Sequence, residues 1–188
     1  KGQHSEGALQ ALPPAARRLP VFCLQNGVRN EEIAARYSDR VYGVMLQVGG
    51  VYLTPGQVIT RRDPPGLLVI GRYPAGADDL AEAVAAQLRA AHFAVLVTPD
   101  VMPYKWGKLI SNLGNAVDAI TGAEEGDPDA AAVVHAARDE ARALLARAGI
   151  RWISGRDLLQ AHPELNPPER STLEVAAGCS TWQSPARR

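Results

Sequence analysis

The chain has few of the residues that characterise several classes of protein. Its 188 residues include two cysteines and four histidines. Two distant cysteines, Cys23 and Cys179, give no disulfide framework, which favours the reducing cytoplasm as the location of the chain. The histidines show no ligand spacing with one another or with cysteine, so we expect no metal site.

Charge and hydropathy exclude two further kinds of partner. Twenty Lys and Arg residues balance twenty Asp and Glu residues, so the net charge provides no electrostatic attraction to nucleic acid. No run of 18 apolar residues could span a bilayer, and no leader with a charged and then an apolar segment opens the chain. We therefore expect a soluble, cytoplasmic chain that binds neither nucleic acid nor membrane.

The most informative segment that is present is 106–115, with the sequence Trp-Gly-Lys-Leu-Ile-Ser-Asn-Leu-Gly-Asn. A helix turns about 100° per residue, so Lys108, Asn112 and Asn115 would share one stripe. Asparagine is a poor helix former, and two of them on one helix face need a reason. By itself, the stripe fits a hydrated surface and a substrate-facing surface equally well. The apolar side of the helix would carry Leu109, Ile110, Leu113, Val117 and Ile120.

A second polar segment follows a short apolar run. Residues 19–27 form this run and close in Gln25-Asn26-Gly27, so they read as a buried parallel strand that delivers a polar turn at its carboxyl end. Open α/β sheets bind ligands at the carboxyl ends of their strands. The turn is therefore a candidate part of a binding site.

The order of predicted elements divides the chain near Thr98-Pro99-Asp100. Up to that point helices and strands alternate, and the strands from 41 to 70 predict an antiparallel or mixed part of the sheet. Beyond it only helices are predicted, the first over 101–121 with Asp100 as its cap. Asn30 is the predicted cap of an earlier helix. The predicted strands cover 20–25, 41–46, 51–54, 57–61, 67–70 and 93–98, and the predicted helices 3–12, 30–37, 78–91, 101–121, 128–148 and 155–161.

Several motifs, taken together and in their order along the chain, resemble ketopantoate reductase, also called 2-dehydropantoate 2-reductase. The resemblance covers essentially the whole chain. The matching residues are Lys1, Gln25-Asn26-Gly27, Gly43, Pro55-Gly56, Ile70-Gly71, Trp106-x-Lys108-Leu109-x-x-Asn112 and Cys179-Ser180-Thr-Trp-Gln183.

The resemblance implies a two-domain oxidoreductase that reduces a 2-keto acid with NADPH. Residues 1–99 would be the C-terminal half of a Rossmann-type NADP-binding domain. Residues 100–188 would be an all-α domain, similar to the C-terminal domain of 6-phosphogluconate dehydrogenase and incomplete at its end. The site would lie in the cleft between the domains.

The resemblance also implies a role for seven residues. Lys108 would be the catalytic lysine, which donates a proton to the ketone oxygen. Substrate-binding roles would fall to Asn26, Asn112, Asn115 and Ser180, and cofactor-binding roles to Lys1, Asn26 and Gly49.

The chain also departs from the family pattern, most importantly at the following places. Ala116 stands where the family has a second asparagine, and Asn115 lies one residue early, about 100° away on a helix. No Gly-x-Gly-x-x-Gly occurs, so the turn that binds the pyrophosphate is absent. The family's active-site glutamate would fall beyond Arg188. We therefore expect these 188 residues alone neither to bind NADPH tightly nor to reduce ketopantoate.

Three functional hypotheses stay open at this stage. The leading one is NADPH-dependent reduction of ketopantoate to pantoate, a step of pantothenate and coenzyme A biosynthesis. The second is reduction of another 2-keto acid, which Ala116 keeps open. The third is a cofactor-free remnant that serves as an interaction or oligomerisation module, and homodimer formation stays open in each case.

Overall fold

The computed structural model describes residues 1–60, 64–122 and 126–166. The described residues form two sheets and six α-helices. The strands are β1 (Val21–Cys23), β2 (Val41–Val48), β3 (Gly50–Val51), β4 (Ile59–Thr60), β5 (Gly66–Arg72) and β6 (Ala94–Val97). The helices are α1 (Ser5–Gln10), α2 (Asn30–Ala34), α3 (Asp79–Ala90), α4 (Met102–Thr121), α5 (Pro128–Arg147) and α6 (Gly155–Ala161).

The main sheet is mixed, as the sequence predicts. Its strand order is β1-β2-β5-β6, in which β1 is parallel to β2 and β5 is parallel to β6. The central pair, β2 and β5, is antiparallel over seven residue pairs, from Tyr42–Arg72 to Val48–Gly66. Because β1 runs parallel to β2, its carboxyl end delivers the turn at Gln25 to the sheet edge, where the sequence predicts a site.

Alternating residues of the central strands fill two separate cores. Tyr42 and Ile70 point to one face of the sheet, where they pack with Ala81 and Ala85 of α3. Met45 and Val69 point to the other face and pack with Val101 and Leu158. Side chains along a strand alternate between the two faces, and β2 and β5 are apolar at almost every position because both faces are covered.

The hairpin of β3 and β4 is shorter than predicted. The sequence predicts strands over 51–54 and 57–61, whereas each strand contains two residues. Tyr52, Leu53 and Val58 are exposed, so no packed layer extends the pairing. High β-propensity needs packing partners before it forms a long strand.

The long helix α4 lies almost where the sequence predicts it, but its cap differs. Asp100 does not cap α4: Val101 is the N-cap residue and makes no side-chain cap hydrogen bond. The Asp100 carboxylate instead pairs with Arg151, which lies 51 residues downstream. The predicted cap at Asn30 is wrong too, because Asn30 is the first residue of α2 and Arg29 is the N-cap.

The segment before α6 closes against the first turns of α4. The backbone N–H of Ile153 donates to the carbonyl of Pro103 over 3.0 Å. Gly107 makes this approach possible, since a Cβ at that position would lie 1.7 Å from the carbonyl oxygen of Ile153. No helix within the described parts of the chain is both long and apolar enough to cross a bilayer.

We expect Gly107→Ala to lower the free energy of unfolding by at least about 1–3 kcal/mol, because the new methyl group forces α4 and the Ile153 segment apart. Urea unfolding followed by circular dichroism measures the change. Gly114→Ala is the matched control on the same helix. Its Cβ would lie 3.2 Å from the end of the flexible Arg138 side chain and in ordinary contact with Val134, 3.5 Å away, so the better helix propensity of alanine should offset these contacts. Equal stability of Gly107→Ala and the native protein would contradict the packing argument.

Candidate active site

Lys108 and Asn112 lie together on α4, as the stripe predicts, and both line two neighbouring cavities. We call one the strand-end cavity, because the turn after β1 lines it, and the other the α6 cavity, because residues of α6 line it. The α6 cavity has a volume of about 150 Å³. The strand-end cavity is lined by Gln25, Asn26, Gly27, Val44, Met45, Leu46, Lys105, Lys108, Leu109 and Asn112. The α6 cavity is lined by Met45, Gln47, Tyr104, Gly107, Lys108, Ser111, Asn112, Ile153, Ser154, Gly155 and Leu158.

The turn after β1 is held from behind by hydrogen bonds. The buried Asn30 donates its side-chain N–H to the carbonyl of Asn26 over 3.1 Å, and it accepts from the hydroxyl of Ser5 over 2.8 Å. Gly27 has a φ of 92°, which favours glycine. The exposed side chain of Asn26 is thus presented on a fixed backbone beside the strand-end cavity.

A buried ion pair lies beneath the same turn. Lys105 and Glu31 are 4% and 0% exposed, and the Lys105 ammonium donates to Oε1 of Glu31. The same ammonium donates to the carbonyl oxygens of Gln25 over 3.2 Å and Cys23 over 3.4 Å. All three hydrogens of the ammonium thereby have acceptors, which meets the requirement for burying a charge.

Lys108 stands in a different environment from Lys105. It is half-buried, and its side-chain ammonium has no hydrogen-bond or ion-pair partner among the residues that the structure describes. Burial lowers the pKa of the Lys108 ammonium, and the positive charge of Lys105 lowers it further. A lysine with a lowered pKa gives up its proton more readily, which suits a general acid.

The structure does not bring every predicted site residue to these cavities. Asn115 is exposed on α4 and lines neither cavity. Lys1 and Gly49 are exposed, and both lie outside the two cavities. Ser180 lies outside the described residues. Within 1–60, 64–122 and 126–166, no three His, Cys, Asp or Glu side chains cluster as a metal site would require.

Two residues of the site, Lys105 and Glu31, do not follow from the sequence reasoning. In the sequence, Glu31 is one of two acidic residues in the first turn of the predicted helix 30–37, where a carboxylate interacts favourably with the helix dipole. Lys105 carries a usable signal, because it stands three residues before Lys108, and like charges at that spacing destabilise a solvated helix. The pattern points to a special environment for one of the two lysines, but it does not show where the counter-ion lies.

Comparison with known proteins identifies the class of protein to which the chain is related. No family model matches the chain. The 2-dehydropantoate 2-reductase of Pyrococcus horikoshii is 32% identical over 127 residues, which make up 67% of this chain and 42% of that protein. A crystal structure of a ketopantoate reductase from Ralstonia eutropha JMP134 matches with a TM-score of 0.66 at 26% identity, covering 86% of this chain and 56% of that one.

A third match shows the fold alone. D-mandelate dehydrogenase, solved with NADH, has a TM-score of 0.69 at 17% identity and covers 89% of this chain and 58% of its own. The chain thus has the Rossmann-like fold of these oxidoreductases, followed by a helical part, as the sequence predicts. Within that class it is a homologue of the ketopantoate reductases, which confirms the family that its motifs indicate. The chain spans about half the length of the curated relatives it matches.

Proposed function

We propose that the full-length protein reduces a 2-keto acid with a nicotinamide cofactor, and that its substrate and cofactor are ketopantoate and NADPH. The observation that carries the proposal is Lys108, a half-buried lysine with a lowered pKa that lines two cavities together with Asn112. The Pyrococcus relative is a 2-dehydropantoate 2-reductase by name, which supports the choice of substrate.

The proposed chemistry divides between Lys108 and its neighbours. Hydride addition to the ketone builds negative charge on the ketone oxygen, and the Lys108 ammonium stabilises that charge and then donates its proton. Asn112, one turn further along α4, has an amide that hydrogen-bonds the substrate without adding a competing charge. Asn26 approaches from the sheet side. We keep Ser180, Asn115, Lys1 and Gly49 as proposals from the resemblance.

The residues at the strand end fit the nicotinamide end of the cofactor. Gln25 Oε1 is buried and has no hydrogen-bond partner among the described residues, so it can accept a hydrogen bond from a carboxamide. Asn26 lies next to it at the carboxyl end of a parallel strand, where α/β sheets bind such groups. When bound, NADPH would supply the hydride.

The test is an assay of the purified full-length protein. Ketopantoate should cause oxidation of NADPH, followed by absorbance at 340 nm, whereas a ketone without a carboxylate should not. A panel of other 2-keto acids, including the keto acid that corresponds to mandelate, tests the runner-up substrate class. Failure with every keto acid and both nicotinamide cofactors would favour the cofactor-free interaction module.

We expect Asn112→Ala to raise KM more than it lowers kcat. If Asn112 binds substrate and transition state equally, its loss weakens both by about 1–3 kcal/mol, the usual cost of an unpaired polar group. Steady-state kinetics with ketopantoate gives both constants. Asp118→Ala is the control on the same helix, since the exposed Asp118 lines neither cavity. A fall in kcat at constant KM would assign Asn112 to transition-state stabilisation instead.

A further inference from the structure

The buried ion pair joins the helical part of the chain to the sheet directly beneath the candidate site. Lys105 belongs to α4, Glu31 to α2, and the two carbonyl groups that Lys105 also contacts belong to β1 and the turn after it. α4 therefore meets β1 and α2, which lie 74 to 82 residues earlier in the sequence, at one ammonium group. Lys108 follows three residues later on the same helix.

We propose that Lys105 and Glu31 are positioning residues for the keto acid reduction proposed above, on which this inference rests. Their pair fixes α4 against the carboxyl end of β1, so that Lys108 faces the turn at Asn26. It also keeps a positive charge one helical turn before Lys108.

Stability alone does not account for this pair. A buried ion pair costs desolvation, and replacing one with apolar residues of similar size is often neutral or stabilising. The Glu31 side chain adds to the cost, because its second oxygen, Oε2, is buried without a partner among the described residues. A fully buried charge pair next to the candidate proton donor therefore points to a role in the reaction.

The neighbouring strand leaves room for the pair. A Cβ at Gly43 of β2 would lie 2.8 Å from Cγ1 of Val101 and 3.4 Å from Oε1 of Glu31. Glycine at this position lets α2 and the start of α4 both lie close over the strand. Gly43 is one of the residues on which the family resemblance depends, and the contact with Glu31 gives it a physical reason.

Among the charged groups near Lys108, Lys105 has the main effect on the pKa of its ammonium. Burial and the Glu31 carboxylate raise the pKa of Cys23 to about 12, so this thiol is neutral at ordinary pH. Tyr104 lines the α6 cavity, and Asp157 hydrogen-bonds Ser154 at the start of α6. The cavity residues from β2 and from the segment before α6 carry no titratable side chain: Val44, Met45, Leu46, Gln47, Ile153 and Ser154.

The experiment measures the titration of Lys108 directly. These 188 residues contain only three lysines, Lys1, Lys105 and Lys108, so isotope-labelled lysine gives NMR signals that single substitutions can assign. The titration is followed in the native full-length protein and in Lys105→Met, Lys105→Arg and the double variant Lys105→Met/Glu31→Gln. Glu32→Gln is the matched control, because Glu32 is the exposed neighbour of Glu31 on α2.

We expect Lys105→Met to raise the pKa of Lys108, because the repelling charge is gone. The double variant should raise it less, because it also removes the negative charge of Glu31, and it keeps the test valid if Lys105→Met alone fails to fold. Lys105→Arg retains the charge and should keep a value close to the native one. Glu32→Gln should leave it unchanged. An unchanged Lys108 titration in the double variant would overturn the inference.

Steady-state kinetics distinguish a role of Lys105 in positioning Lys108 from a role in stabilising the fold alone. Lys105→Met should lower kcat about 10- to 100-fold with a smaller change in KM, because a small displacement of the proton donor slows the reaction. The high-pH limb of the kcat profile should move to higher pH, since the active form of Lys108 is the protonated one. A folded double variant with native kcat and an unshifted profile would overturn the positioning role.

The outcomes also distinguish this inference from the proposed function. If the native protein reduces keto acids and Lys108 titrates identically in all variants, the function stands and the inference fails. If the titration responds to Lys105 but no keto acid is reduced, the charge coupling exists without the proposed reaction, and the positioning role for that reaction fails with it.

Discussion

Lys108→Ala in the full-length protein is expected to lower kcat for ketopantoate reduction by at least about a hundredfold, the lower range of the contribution of a positioned general acid. The ketone oxygen would then gain negative charge with no donor beside it. The affinity for NADPH should remain close to native, because Lys108 is proposed to act on the substrate. Steady-state kinetics and cofactor titration by fluorescence measure the two quantities.

Lys108→Arg separates proton transfer from charge. Arginine keeps a positive charge but holds its proton too firmly to donate it. If Lys108 acts as an acid, Lys108→Arg should remain far slower than native, and added ethylammonium should restore part of the rate of Lys108→Ala. A Lys108→Ala enzyme with native kcat would show that α4 presents only a hydrated polar face.

The helix that carries this lysine was predictable because its signal is local and long. Apolar and polar residues alternate with the helical period over 20 residues, and the observed helix, Met102–Thr121, differs from the predicted one by one residue. The proximity of Lys108 to the turn at Asn26 was an expectation from the family resemblance. General rules gave only its two halves, because strands of an α/β sheet present ligands at their carboxyl ends and a helical stripe faces one direction.

The charges beneath the site were not predictable from local patterns. Glu31 and Glu32 are neighbours with the same chemistry, yet one is fully buried and the other is half exposed. The difference depends on Lys105, which lies 74 residues away in sequence. The wrong cap at Asp100 has the same origin, because its partner Arg151 comes from a distant segment. Local rules give the type of an element, whereas pairing between distant side chains is decided only in the folded chain.

Lys105→Met alone is expected to destabilise the full-length protein by about 3–5 kcal/mol, the usual cost of leaving a buried charge without its partner. Glu31 would remain buried, and the carbonyl groups of Cys23 and Gln25 would lose a donor. The double variant Lys105→Met/Glu31→Gln removes both charges and should lose clearly less stability than the single variant. Urea unfolding by circular dichroism gives the free energies.

The exposed pair of Glu32 on α2 and Arg36, two residues beyond the end of that helix, provides the comparison. Both of its side chains are 51% exposed, so Glu32→Gln should cost less than about 1 kcal/mol. With Glu31→Gln as the second single variant, the non-additive part of the cycle for Lys105 and Glu31 measures their coupling in the folded protein. If Lys105→Met costs no more than Glu32→Gln, the charges under the turn are not coupled in solution. Lys105 would then contribute to the site only through the apolar part of its side chain.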